Sequence, residues 1–273
     1  MGRRRSLGDL CYGLLIGGLA LLAVTIIVAP VVIVLMTSFT EGAALKFPPT
    51  GFSFRWYEQL FDEAKSRQIH KAAGNSLHVA FFATLIGVVL ATLASLALAR
   101  NPHKLARVAD SLFMSPLVLP GITFGLAALV YFTTMGFRPS LDLMIAGHLV
   151  VTMPFILRTT TASLSQLDPA LLDSSRSLGA TWLYTLRRVT LPLIAPGIAA
   201  GAFLAFMSSI DNVAVSLFLS NARTDTLPIR MWGMMEATLD VRVAAVSGVL
   251  ITAAFLLMLL MEWTVGFTRR MRD

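Results

Sequence analysis

The side chains hardest to accommodate in this sequence form a polar knot, Ser208-Ser209-Ile210-Asp211-Asn212, inside an otherwise apolar run from Leu191 to Leu219. A carboxylate within a hydrocarbon layer costs about 3 kcal/mol on insertion scales, so it faces a bundle interior, a partner group or a cavity. Two roles are open to Asp211. It can bond a neighbouring helix, or it can line a pathway with Ser208, Ser209 and Asn212 and favour a cationic or amine-bearing solute. Glu262, beside Trp263 near the end of the last apolar run, reads as interfacial. The histidines (His70, His78, His103, His148) are dispersed without an HExxH pair, and read as loop or helix-packing residues rather than metal ligands. Cys11 is the single cysteine, which excludes an intramolecular disulfide and a cysteine-based zinc cluster. Lys46, Lys65, Lys71 and Lys104 lack the glycine-rich lead-in of a phosphate-cradling GxxxxGK[ST] loop. No catalytic centre, metal site or nucleotide site is expected in this chain.

The elements that must position the knot are membrane helices. Of 273 residues, 56% are hydrophobic and 14% charged, against roughly 25% charged in soluble domains. A hydrocarbon core takes about 20 helical residues to cross. Apolar length and breakers give six spans at residues 10–36, 75–99, 111–134, 141–159, 191–219 and 243–267, in one domain covering 1–273. The expected class is an all-α membrane protein. The first run is too long for the apolar part of a signal peptide, so an uncleaved first span is expected behind Arg3, Arg4 and Arg5. Pro30, Pro116, Pro120, Pro154, Pro192 and Pro196 fall in or beside spans. They imply bent helices, either for packing or to line a pathway.

A formal charge of +7 raises the question of nucleic acid, and its placement answers it. Basic residues collect in short segments between spans: Arg3–Arg5; Arg100, Lys104 and Arg107; Arg158, Arg176, Arg187 and Arg188; Arg269, Arg270 and Arg272. The opposite segments dilute theirs with acids such as Glu41, Glu58, Asp62, Glu63, Asp225 and Asp240. The positive-inside rule then places both termini in the cytoplasm. The bilayer, not nucleic acid, is the expected partner. Between spans one and two, Phe52, Phe54, Trp56, Tyr57, Leu60 and Phe61 predict an outer aromatic helix at the membrane surface.

One cytoplasmic segment, residues 167–190, writes a helix–glycine–helix elbow. Asp168 suits an N-cap, Pro169 the first turn, and Gly179 the left-handed position after a helix end. Thr181 can cap a second helix through Trp182 and Tyr184 toward Arg187 and Arg188, ahead of Pro192. Such an elbow is too small to bury itself. By its chemistry it is either a docking element or an interfacial amphipathic loop.

The segment resembles the "EAA" loop of permease subunits in binding-protein-dependent ABC importers. The pattern is carried by Asp173-Ser174-Ser175, Gly179-Ala180 and Val189-Thr190-Leu191-Pro192, followed by Pro196-Gly197-Ile198. Asp-Ser-Ser replaces Glu-Ala-Ala, which keeps the carboxylate but shortens it. Residues 51–61, 75–100, 115–126, 208–220 and 226–232 look like the polyamine (spermidine/putrescine) branch, whose relatives also serve opines, thiamine and iron. The resemblance implies a type I, MetI-like importer fold in the bacterial inner membrane. It also implies a coupling helix held by two nucleotide-binding ATPase subunits, which carry the ATP and magnesium. A second permease of different sequence and a solute-binding protein complete the implied partners. The other transport class, a proton-coupled secondary transporter, would explain Asp211 and bent spans but leaves the elbow without a role.

Overall fold

The computed structural model describes residues 7–99, 101, 103–238 and 240–265. Helices account for almost all regular structure among them: α1 (Leu7–Ser38), α2 (Arg55–Phe61), α3 (Glu63–Leu98), α4 (Lys104–Val118), α5 (Gly121–Thr134), α6 (Leu141–Ser165), α7 (Pro169–Ser177), α8 (Trp182–Thr185), α9 (Leu191–Ile210), α10 (Val213–Leu219), α11 (Leu227–Thr238) and α12 (Arg242–Val265). A π-helical turn, Leu186–Thr190, joins α8 to α9. Among the described residues, five helical segments are long and apolar enough to cross a membrane, and α4 with α5 makes a sixth if that bent pair is one span.

Two of the expected spans are interrupted. The third breaks into α4 and α5 with a bend of 107°. Pro120 has no N–H and disfavours a helical residue before it, and Leu119 accordingly sits at ψ 136°. The fifth stops at Ile210 and restarts at Val213, so Asp211 lies in a break rather than within a helix. Pro30, Pro116, Pro154 and Pro196 remain inside their helices.

The described residues group into two compact units. The first takes its residues from 1–66 and 234–252. The apolar window of α1 buries nothing within this chain, which leaves it to lipid or another subunit. At its end, Ser38 Oγ and the Tyr57 hydroxyl lie 2.7 Å apart, and a Cβ at Gly248 would collide with that hydroxyl. The aromatic helix expected between the first two spans forms as α2, but it begins at Arg55, so Phe52 and Phe54 precede it. Within it Trp56 and Leu60 are buried and Phe61 is exposed. Arg242 grips Asp240 through Nε and Nη2 and donates from Nη1 to the Lys65 carbonyl. Burial works to raise the Asp240 carboxyl, but the Arg242 hydrogen bonds and charge outweigh it and hold the group below the usual carboxylate range.

The second unit, from 67–233 and 253 onward, holds the core. Small residues let its helices approach closely. A Cβ at Gly201 would lie 2.7 Å from the Ile156 Cα, and one at Gly197 would lie 2.8 Å from the Thr159 carbonyl, so α6 and α9 touch backbone to backbone. Gly125 does the same for α5, where a Cβ would lie 2.7 Å from the Ala214 carbonyl of α10, and one at Gly121 would lie 3.1 Å from the Ala214 Cβ. Among the described residues, apolar clusters pack within the unit. Val79, Met144, Val215 and Leu219 form one; Ala91, Ile156, Leu157 and Ala205 the next; Leu164, Leu167 and Ile194 the third.

Candidate functional site: the elbow and the polar break

The elbow is built by neighbours in sequence. The Asp168 carboxylate accepts from the Ala170 amide at 2.9 Å, and Pro169 opens α7. Gly179 has φ +80°, a left-handed conformation costing other L-residues about 1–2 kcal/mol. Its amide donates to Arg176 O, and the Ala180 amide donates to Ser175 O, closing the end of α7. Thr181 then caps α8 by accepting from the Tyr184 amide at 3.3 Å. The second arm does not end before Pro192, as the sequence reading had it. It continues through the π-helical turn into α9, with Leu191 and Pro192 in the first turn.

Ser175 Oγ meets Thr185 Oγ1 at 2.8 Å and ties the two arms together. This bond uses the last residue of the Asp-Ser-Ser triplet, a serine where the loop pattern has alanine. Asp173 reaches Arg176 at 3.8 Å with both side chains exposed, a pair that contributes little. Ser174 is exposed. Leu172 and Leu191 pack on the Leu164–Leu167–Ile194 cluster. By contrast Leu178, Trp182 and Tyr184 are 88%, 69% and 58% exposed. The elbow is therefore anchored by one side and presents an apolar, aromatic surface on the other.

The polar knot is organised differently. Ser208, Asp211 and Asn212 line an open recess of about 600 Å³ with Phe155, Leu204, Met207, Val213 and Ala214. Asp211 is exposed and closes α9, its amide donating to Met207 O. Asn212 starts α10, its Oδ1 accepting from the Val215 amide at 2.9 Å. Asp and Asn compete well with helical backbone bonds, which is why the chain breaks here. No ion pair among the described residues includes Asp211.

Ser209, grouped with the other three by sequence, turns away from them. It is buried, with its Oγ 2.7 Å from His148 Nδ1. His148 Nε2 lies 3.0 Å from the Ser216 hydroxyl. His148 thus packs between helices, and sequence reasoning missed Ser216, Phe155 and Met207. Nothing in a single sequence links position 148 to 209 and 216. Among the described residues, no group of three or more His, Cys, Asp or Glu could hold a metal ion.

Comparison with known proteins places the chain among transport permeases in sequence and in fold. Residues 83–272 match the family described as binding-protein-dependent transport system inner membrane component. Spermidine/putrescine transport system permease protein PotC of Haemophilus influenzae is 27% identical, covering 85% of this chain and 89% of its own. Putrescine transport system permease protein PotI of Escherichia coli K12 is 27% identical, with 85% and 84% covered. In fold, a chain of the bacterial alginate ABC transporter in complex with alginate pentasaccharide-bound periplasmic protein matches with TM-score 0.73 at 17% identity over 98% of both chains. A chain of the MetNI methionine ABC transporter, in inward-facing form, matches with TM-score 0.65 at 19% identity, covering 75% of this chain and 98% of that one.

Proposed function

The chain belongs to the family of inner membrane components of binding-protein-dependent transport systems, and on that premise we propose that it forms the membrane pathway for a polyamine or similar amine-bearing cation. The observation that carries the solute class is the Asp211 carboxylate in the recess with Ser208 and Asn212. A fixed negative charge among hydroxyl and amide groups suits an alkylammonium, and it would repel a carboxylate or phosphate. The names of the PotC and PotI relatives support the same class.

ATP would be bound and hydrolysed by two separate subunits, one of them docked on Leu178, Trp182 and Tyr184 of the elbow. The exposed apolar surface there supports that contact, as it is unusual for a free cytoplasmic loop. Closure of the ATPases would push the elbow. Because α8 runs into α9 without a break, the displacement would reach Asp211 along one helix. A second permease of different sequence would face the recess, and a solute-binding protein would deliver from outside, with both termini in the cytoplasm.

Reconstitution with the cognate ATPase and binding protein tests this. ATP-dependent uptake of labelled spermidine or putrescine is expected, with competition by other polyamines and none by carboxylate-bearing opines. Uptake driven by a proton gradient without ATP would support the secondary-transporter reading instead.

A further inference from the structure

The Asp211 break carries a second layer of construction. His148 is 1% exposed, in the N-terminal third of α6, and both its ring nitrogens are engaged. One faces Ser209, two residues before Asp211; the other faces Ser216, four residues after Asn212. A neutral imidazole offers one donor and one acceptor, and a hydroxyl takes either role, so both bonds form in either tautomer. The contact is reinforced beside the ring. A Cβ at Gly147 would lie 2.8 Å from side-chain carbons of both Val215 and Leu219, so α10 sits directly on α6. Phe155, two turns along α6 from His148, lines the recess itself.

We propose that His148 is a positioning residue for translocation, a splint whose two bonds fix how α9 and α10 are set across the break. It touches no solute. It would act through Ser209 and Ser216 by holding Ser208, Asp211 and Asn212 on the recess side. A broken helix has lost the backbone bonds that fix its two halves, and this side chain bonds both. The solute-facing part of the inference rests on the pathway reading of Asp211; the splint itself does not.

Asn places its amide near the Nδ1 position and Gln near the Nε2 position, so each retains one bond while Phe retains neither. In reconstituted complex, His148→Asn and His148→Gln are each expected to raise the half-saturating solute concentration about fivefold, about 1 kcal/mol per lost bond. Maximal uptake per assembled complex should change less. Ser216→Ala should add nothing in the Asn background, where its bond is already gone. A second readout does not involve the solute. With Cys11→Ser as a cysteine-free background, Ser208→Cys reports recess geometry through its rate of labelling by a water-soluble maleimide. His148→Phe and His148→Gln should shift that rate at least about threefold, a change of about 0.6 kcal/mol. A shifted labelling rate with unchanged half-saturation would keep the splint and remove the pathway reading of the recess. Unchanged labelling and unchanged half-saturation in folded His148 variants would overturn the proposal.

Discussion

The elbow at Asp168–Leu191 and the break at Ile210–Val213 interrupt helices of the same unit, but they are held in opposite ways. Every bond that shapes the elbow joins residues at most ten apart in sequence: Asp168 to Ala170, Thr181 to Tyr184, Ser175 to Thr185. The break has local bonds too, from the Asp211 amide to Met207 O and between Asn212 and Val215, but it adds two bonds from His148, 61 and 68 positions away. Exposure follows the same division. The elbow leaves Leu178, Trp182 and Tyr184 outside, whereas Ser209, Ser216 and His148 are all buried. A locally built element keeps its shape when a partner moves it, which suits a part that transmits displacement. A break anchored across the core holds side chains in fixed relation, which suits a part that discriminates solutes.

The comparison can be broken first at the support both regions share. Gly201→Leu would drive a side chain into the Ile156 backbone and is expected to cost about 3 kcal/mol or more. Detergent-solubilised protein should lose most of its folded fraction, with elbow and break failing together. A stable, transport-competent Gly201→Leu chain would show that α6 and α9 do not carry them.

Gly179→Val should instead separate them. A β-branched residue at φ +80° costs of order 1–2 kcal/mol, and no neighbouring atom crowds the position, so the strain is local. Membrane insertion should persist while co-purification with the ATPase and stimulated hydrolysis fall. Ser175→Ala should act in the same direction but more weakly, by about 0.5–1.5 kcal/mol. Solute half-saturation, a property of the break, should stay put in both variants. An effect on half-saturation larger than that on ATPase association would contradict the division of labour.

The smallest effect is expected at Asp240, outside both regions in sequence. Its carboxyl is held low by Arg242, so the pair's stabilisation is present above the unfolded carboxylate pKa of about 3.9 and is lost as pH falls through the lower folded value. Asp240→Asn should reduce stability near pH 7 by less than about 1 kcal/mol and leave little pH dependence there, as followed by thermal unfolding.

These same regions differ in how much of them sequence could disclose. Asp168, Pro169, Gly179 and Thr181 are cap and turn residues whose preferences are local, so the elbow could be written down before any coordinates. The end of its second arm could not, because a π-helical turn carries the chain past Thr190 without a residue signature. Six apolar runs were legible by length, and the Leu119–Pro120 bend lay in a proline already noted. Asp211 attracted notice by its cost in an apolar run, but hydropathy treats residues 191–219 as one stretch and cannot separate a helix from a helix with a capped break. Ser208 and Ser209 are adjacent and chemically alike, yet one lines the recess and the other meets His148. Only the packing of α6 against α9 and α10 decides which faces where.

Asp211→Asn is the most direct test of the central claim, that a carboxylate in the break selects a cationic solute. The substitution is nearly isosteric and, since no described ion pair includes Asp211, should leave packing and assembly intact. The measurement is ATP-driven polyamine uptake in proteoliposomes, normalised to assembled complex. A fall of about tenfold or more, with abundance and ATPase docking unchanged, is the predicted result. Full uptake would contradict the claim. A loss of abundance in step with uptake would instead mark Asp211 as one half of a pair with another subunit, buried on assembly.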